Sequence, residues 1–71
     1  MNEDQRDILT FLADGTRQRK DDIRRVTKIR AKALVIELAD LVGRGALSRE
    51  YAVLDDYYTI TTIGSFMLEV P

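Results

Sequence analysis

The feature that most constrains this chain is a change of hydrophobic period at Gly43-Arg44-Gly45. Before it, Ala31, Leu34, Leu38, Leu41 and Val42 fall on one face at helical spacing. After it, Leu47, Arg49 and Tyr51 alternate with Ser48 and Glu50, and Tyr57, Tyr58, Thr59 and Ile60 form a second run rich in strand formers. A helix is therefore expected to end at the glycines and a strand to begin after them. Ala52 to Asp56 separates the two runs and contains Asp55 and Asp56, which suit a turn. The runs then make a hairpin. A hairpin is not stable alone in water, so it must pack on the helices.

Upstream, Asn2 can cap a first helix over about residues 3–14, with Glu3, Asp4 and Asp7 near its positive end. Ile8, Phe11 and Leu12 form its apolar stripe and Gly15 supplies a stop. Thr16 to Arg19 reads as a polar loop. A short second helix covers Lys20 to Val26, with Ile23 and Val26 inward and Asp21 and Asp22 in its first turn. Thr27, Lys28 and Ile29 form a turn, and a third helix runs from about Arg30 to Val42. Downstream, Thr61 or Thr62 can cap a last helix bearing Ile63, Phe66, Met67 and Val70 at i, i+3, i+4 and i+7. The expected class is α+β, mostly α: three helices, a two-stranded hairpin and a C-terminal helix. The 71 residues hold one domain, 1–71, with a core of marginal size.

The composition narrows the chemistry. With no cysteine there is no disulfide or thiolate metal site, and with no histidine there is no Ser-His or Cys-His arrangement. Carboxylate-only chemistry would still need a pocket, of which the sequence gives no sign. The expectation is a non-enzyme with no catalytic residues, no metal, no cofactor and no evident small-molecule ligand. No apolar run approaches the ~18 residues that span a bilayer. The start MNEDQRD is unlike a signal or transit peptide, so the expected location is the cytoplasm, without a membrane partner.

A net charge of −1 conceals a strong asymmetry. Arg17, Arg19, Lys20, Arg24, Arg25, Lys28, Arg30 and Lys32 stand against only Asp21 and Asp22 between Gly15 and Leu34, a local charge of +6. The rest of the chain carries −7. A polyanion responds to the local patch more than to the total.

Two stretches resemble a known family. Leu38-Ala39-Asp40-Leu41-Val42-Gly43-Arg44-Gly45-Ala46-Leu47 is similar to the L-x-x-L-x-x-x-G-x-L exit from the recognition helix of single-domain winged helix-turn-helix regulators, which are common in archaea, their viruses and plasmids, and in bacteria. Tyr58-Thr59-Ile60-Thr61-Thr62-Ile63-Gly64 is similar to that family's Y-x-L-T-x-x-G passage from the second wing strand into the final helix. The two occur in order and at the usual spacing. The resemblance implies that helices two and three form the helix-turn-helix, that the hairpin is the wing, and that double-stranded DNA is bound through the third helix, often by a homodimer. In these motifs Leu38, Leu41, Tyr58 and Ile60 should be core, Gly45 a sharp turn, and Thr61 a cap.

In a helix-turn-helix protein the start of the second helix of the motif meets base edges. Here that start is Arg30, Ala31, Lys32 and Ala33. Arg30 and Lys32 could reach guanine edges or phosphates. Lys28, Arg24, Arg25, Arg17, Arg19 and Lys20 are placed for phosphate contacts. Val35 and Ile36 follow where polar base-reading side chains are common. They could touch thymine methyls, belong to the core, or form a protein-binding surface, with the core favoured for Val35. The wing tip carries Asp55 and Asp56 and no cation, so phosphates would repel it. Arg44 and Arg49 are the only cations near it. Leu68 lies off the stripe of the last helix, and Phe66, Met67, Leu68 and Val70 suggest a dimer interface, which the first helix could join. The leading expectation is a transcriptional regulator, a dimeric repressor that reads the major groove of double-stranded DNA with the helix at about 30–42. The alternative is a winged-helix module for protein–protein contact, such as a small viral or plasmid factor binding a host protein.

Overall fold

The computed structural model describes residues 1–69. The chain is α+β and mostly helical: α1 (Glu3–Phe11), β1 (Gln18–Arg19), α2 (Lys20–Thr27), α3 (Ala31–Gly43), β2 (Leu47–Tyr51), β3 (Asp56–Ile60) and α4 (Thr62–Glu69). Asn2 caps α1 by accepting a 2.8 Å bond from the Gln5 amide, satisfying one of the donors a helix start leaves free. The helix stops at Phe11, three residues before the expected end, and residues 12–14 continue as turns. Leu12 still reaches the core, because its amide bonds back to the Ile8 carbonyl at 3.1 Å.

The expected loop at Thr16 to Arg19 contains a strand. Gln18 pairs with Tyr58 and Arg19 with Tyr57, so β1 joins the outer side of β3 and the hairpin becomes a three-stranded antiparallel sheet, order β1-β3-β2. Two residues carry no readable alternation, which is why this strand has no sequence signature. In the hairpin Leu47 faces Ile60 and Tyr51 faces Asp56.

The core joins Ile8, Leu9 and Leu12 with Ile23, Ile29, Leu34, Leu38, Leu41, Ala46, Leu47 and Tyr58. Leu38, Leu41 and Tyr58 are buried as expected, and Ile60 packs against them half-buried. Three expected core positions on α2 and α3 are instead exposed. Val26 is out because the inward line of α2 runs from Ile23 to Thr27, whose hydroxyl donates to the Ile23 carbonyl at 2.7 Å. Ala31 is out because Ile29, in the preceding turn, fills that end of the core. Val35 is out because the inward line of α3 is Leu34–Leu38–Leu41, which leaves 35, 36 and 39 on the opposite side.

The last helix is rotated from its expected setting. Ile63 and Phe66 are exposed, whereas Met67 and Leu68 pack against the core. Gly64 decides this. It is buried, and a Cβ there would collide with the Ala46 carbonyl oxygen and lie 2.8 Å from Ile60 Cγ1. The contact line of α4 therefore runs from Gly64 to Met67 and Leu68. Val70 lies outside the described residues. Thr61 holds the junction: its hydroxyl donates to the Gly45 carbonyl (2.6 Å) and accepts from the Gly64 amide (3.1 Å). Gly45 itself has φ +78°, a left-handed turn that a side chain would strain.

Candidate functional site

The helix-turn-helix is built by α2, a short turn and α3. Asp21 and Asp22 sit in the first turn of α2, at its positive end, and Arg24 and Arg25 in its last turn, at the negative end. Both arrangements stabilise the helix, and the second moves two guanidiniums toward the turn. Lys28 then ends α2 in a left-handed conformation, φ 61° and ψ 19°, with its amide bonded to the Arg24 carbonyl at 2.8 Å. It is the one non-glycine residue with positive φ among the described residues. This sharp reversal lets Ile29 enter the core and sends Arg30 outward as the residue preceding α3.

The reversal leaves a surface hollow of about 700 Å³ lined by Asp21, Arg24, Arg25, Lys28, Ile29, Arg30 and Ala31. Four cations and one carboxylate line it. The start of α3 borders it with no side-chain cap, so the partial positive charge of that helix end adds to the cations. Chemically, the arrangement is suited to attract an anion.

The cations found by sequence divide into two groups. Arg24, Lys28, Arg30 and Lys32 are exposed and form no ion pair among the described residues. Half-buried Lys20 forms none either. The others are engaged. Arg17 meets Glu50 at 3.0 Å and stacks on Tyr57 with its guanidinium 4.3 Å from the ring centre. Arg19 meets Asp22 at 3.2 Å and Asp55 at 3.7 Å. Arg25 also meets Asp22, at 2.6 Å. Arg49 meets Asp56 at 2.9 Å and stacks on Tyr51. The hydrogen bond from Arg19, joined by the field of Arg25, holds the Asp22 carboxyl below the usual carboxylate range despite opposing desolvation. Such exposed pairs contribute little to stability. Their effect is to occupy Arg19 and Arg25.

The remaining expected site residues fall in different places. Ala33 turns partly toward the core rather than outward, one step along from Leu34. Ile36 lies on the open side of α3, 61% exposed. The wing carboxylates do not sit at its outermost point. Asp55 and Asp56 are half-buried at the base of the turn against Arg19 and Arg49, and the residues that project are Val53, 100% exposed, and Leu54, 93% exposed. The wing tip is thus apolar and uncharged.

Sequence reading missed Gln5. It is buried on α1, and its side-chain amide donates to Asp40 at 2.7 Å and to Glu37 at 3.3 Å on α3. Asn2 donates to Glu37 as well, at 2.6 Å. A buried amide with two carboxylate partners fixes how α3 is rotated over α1. The spacing Glu37/Asp40 marks one helix face, but nothing in it names the partner.

No family model matches the sequence, and no curated protein matches it. Solved structures do. BpsR of Bordetella bronchiseptica, whose DNA binding is regulated by 6-hydroxynicotinic acid, superposes with a TM-score of 0.89 at 20% identity over 97% of this chain and 50% of its own. The oxidised form of MarR from E. coli gives 0.80 at 22% identity over 92% and 48%. MepR, a transcription regulator of the Staphylococcus aureus multidrug efflux pump MepA, gives 0.81 at 19% identity over 97% and 53%. This chain has the winged helix-turn-helix fold. It spans about half the length of each of these structures. In the winged helix, α2 and α3 are the helix-turn-helix, β2 and β3 the wing, and β1 the strand that ties the wing to α2. No helix among the described residues is long and apolar enough to cross a membrane.

Proposed function

We propose that this chain is a transcription regulator that binds double-stranded DNA, laying α3 in the major groove with Arg30 and Lys32 at base edges or phosphates. It acts as one domain over residues 1–71, in the cytoplasm, and not as an enzyme. The observation that carries this reading is the group of cations at the helix-turn-helix reversal, Arg24, Lys28, Arg30 and Lys32, unpaired among the described residues. Cations already held by carboxylates must give up those partners to meet a phosphate, and these four need not. BpsR and MepR, alike in fold, are a DNA-binding protein and a transcription regulator, which supports the same reading here.

The regulator works as a homodimer and a repressor. Ile63 and Phe66 on α4 stand exposed and offer an apolar surface to a second copy; a two-fold dimer that reads DNA needs its two α3 helices about one DNA turn apart. Met67 and Leu68 contribute less, since they pack on their own core.

The test is an anisotropy titration of the chain against random-sequence duplex DNA at low and moderate salt. Binding that weakens steeply with salt is expected, because phosphate neutralisation releases counterions. Absence of binding at low salt would favour the second reading, a protein–protein module, for which the apolar wing tip at Val53 and Leu54 is the specific support.

A further inference from the structure

After Lys32, α3 offers no polar side chain on its open side. Glu37 is half-buried and held toward α1 by Asn2 and Gln5. Asp40 accepts from Gln5 at 2.7 Å and pairs with Arg44 at 2.8 Å. The exposed residues are Ala31, Lys32, Val35, Ile36, Ala39 and Gly43, which follow one another at helical spacing. Val35 is 52% and Ile36 61% exposed. Both are β-branched, so a helix holds them in few rotamers and presents a rigid apolar surface.

The charge around this surface selects the partner. Arg24, Lys28, Arg30 and Lys32 lie at its N-terminal end, unpaired among the described residues, which fits a polyanion. In the major groove, guanine, cytosine and adenine show hydrogen-bonding groups at their edges, and thymine adds a methyl group. Burying a donor or acceptor against Val35 or Ile36 would leave it unsatisfied, at a cost in affinity. The thymine methyl carries no such penalty.

We infer that Val35 and Ile36 set the base preference of α3 by packing on thymine methyl groups, while Arg30 and Lys32 supply its hydrogen bonds. This rests on the DNA-binding function proposed above. The target is then a duplex with thymines at fixed positions one to two base pairs beyond the contacts of Lys32.

The experiment selects binding sites from a random duplex pool with the full chain, then replaces each thymine of the selected site by deoxyuridine, which removes the methyl and keeps the base pair. At one or two positions per half-site the affinity should fall about three- to fivefold, as expected for exposing a methyl-sized apolar group. In the variant Val35→Ala/Ile36→Ala, both positions being exposed, thymine and deoxyuridine duplexes should bind equally and the salt dependence should be unchanged. Selected sites without constant thymines, or deoxyuridine tolerated everywhere by the parent chain, would overturn the inference and leave DNA binding standing. No binding to any duplex at low salt would overturn both, and is the result expected if this face meets a protein.

Discussion

Lys28 stands in a conformation that favours glycine, at the point where the chain turns from α2 toward α3. A left-handed backbone costs a residue with a Cβ about 1–2 kcal/mol. Glycine escapes that cost but loses more backbone freedom on folding, about 0.5–1 kcal/mol. Lys28→Gly should therefore stabilise the fold by about 0.5–1 kcal/mol, because the lysine side chain is exposed and forms no ion pair among the described residues. For a domain of this size that is a rise in Tm of roughly 2–8 °C, measured by circular dichroism at fixed protein concentration. The same change removes a cation from the proposed phosphate-binding surface. The slope of log affinity against log salt should become shallower by about 0.9 per domain, read by anisotropy. Lys28→Ala separates the two effects, since it keeps the strain and loses the charge: binding should fall as in the glycine variant while Tm does not rise. A Lys28→Gly protein that melts lower than the parent would refute the strain argument. One that melts higher and binds DNA as tightly, with the same salt slope, would refute the role given to the ammonium.

Gly64→Ala should lower stability by up to about 2 kcal/mol, since overpacking against the fixed Ala46 backbone costs about 1–3 kcal/mol against a gain of about 1 kcal/mol from alanine in a helix; a raised Tm would show that α4 slides freely. Gln5→Leu strips Asp40 and Glu37 of a buried donor and should cost about 1–3 kcal/mol, seen as a lower urea midpoint. Asp22→Asn frees Arg25 and leaves Arg19 with Asp55 alone at 3.7 Å, and should tighten DNA binding and steepen its salt dependence. Its stability effect has a defined sign with pH. The Asp22 pKa is lowered in the fold, chiefly by the Arg19 hydrogen bond, so its contribution is present above the ordinary aspartate range and disappears as pH falls through the folded pKa. Parent and Asp22→Asn melting curves should accordingly converge in strong acid, and divergence there would contradict the assignment.

Much of the fold was legible because several signals agreed. The period change at Gly45, the Asn2 and Thr61 caps and the Leu34–Leu38–Leu41 line all occur as read. What was not legible depends on contacts made at a distance in sequence. Counting only apolar residues set α4 on Ile63 and Phe66, when a glycine marks its buried line. Val26 and Val35 are apolar residues on helices whose neighbours already fill the core. The candidate site was legible as a list of cations. Which of them are free was legible only in part: Asp22 holds Arg19 and Arg25 from three residues away, but the carboxylates that hold Arg17 and Arg49 come from the sheet. The acidic wing tip was an error of the same kind: Asp55 and Asp56 fold back onto arginines and leave Val53 and Leu54 outermost.

The proposed function requires Arg24, Lys28, Arg30 and Lys32 to bind the phosphates and base edges of duplex DNA. The most direct measurement is the salt dependence of duplex affinity for the parent chain and for Arg30→Ala/Lys32→Ala. For the parent, four unpaired cations predict a slope of log affinity against log salt of about −3 to −4 per domain. The double variant should lose specific binding and flatten that slope by about two units, with its melting temperature unchanged. A double variant that binds a selected site with the parent's affinity and slope would contradict the account.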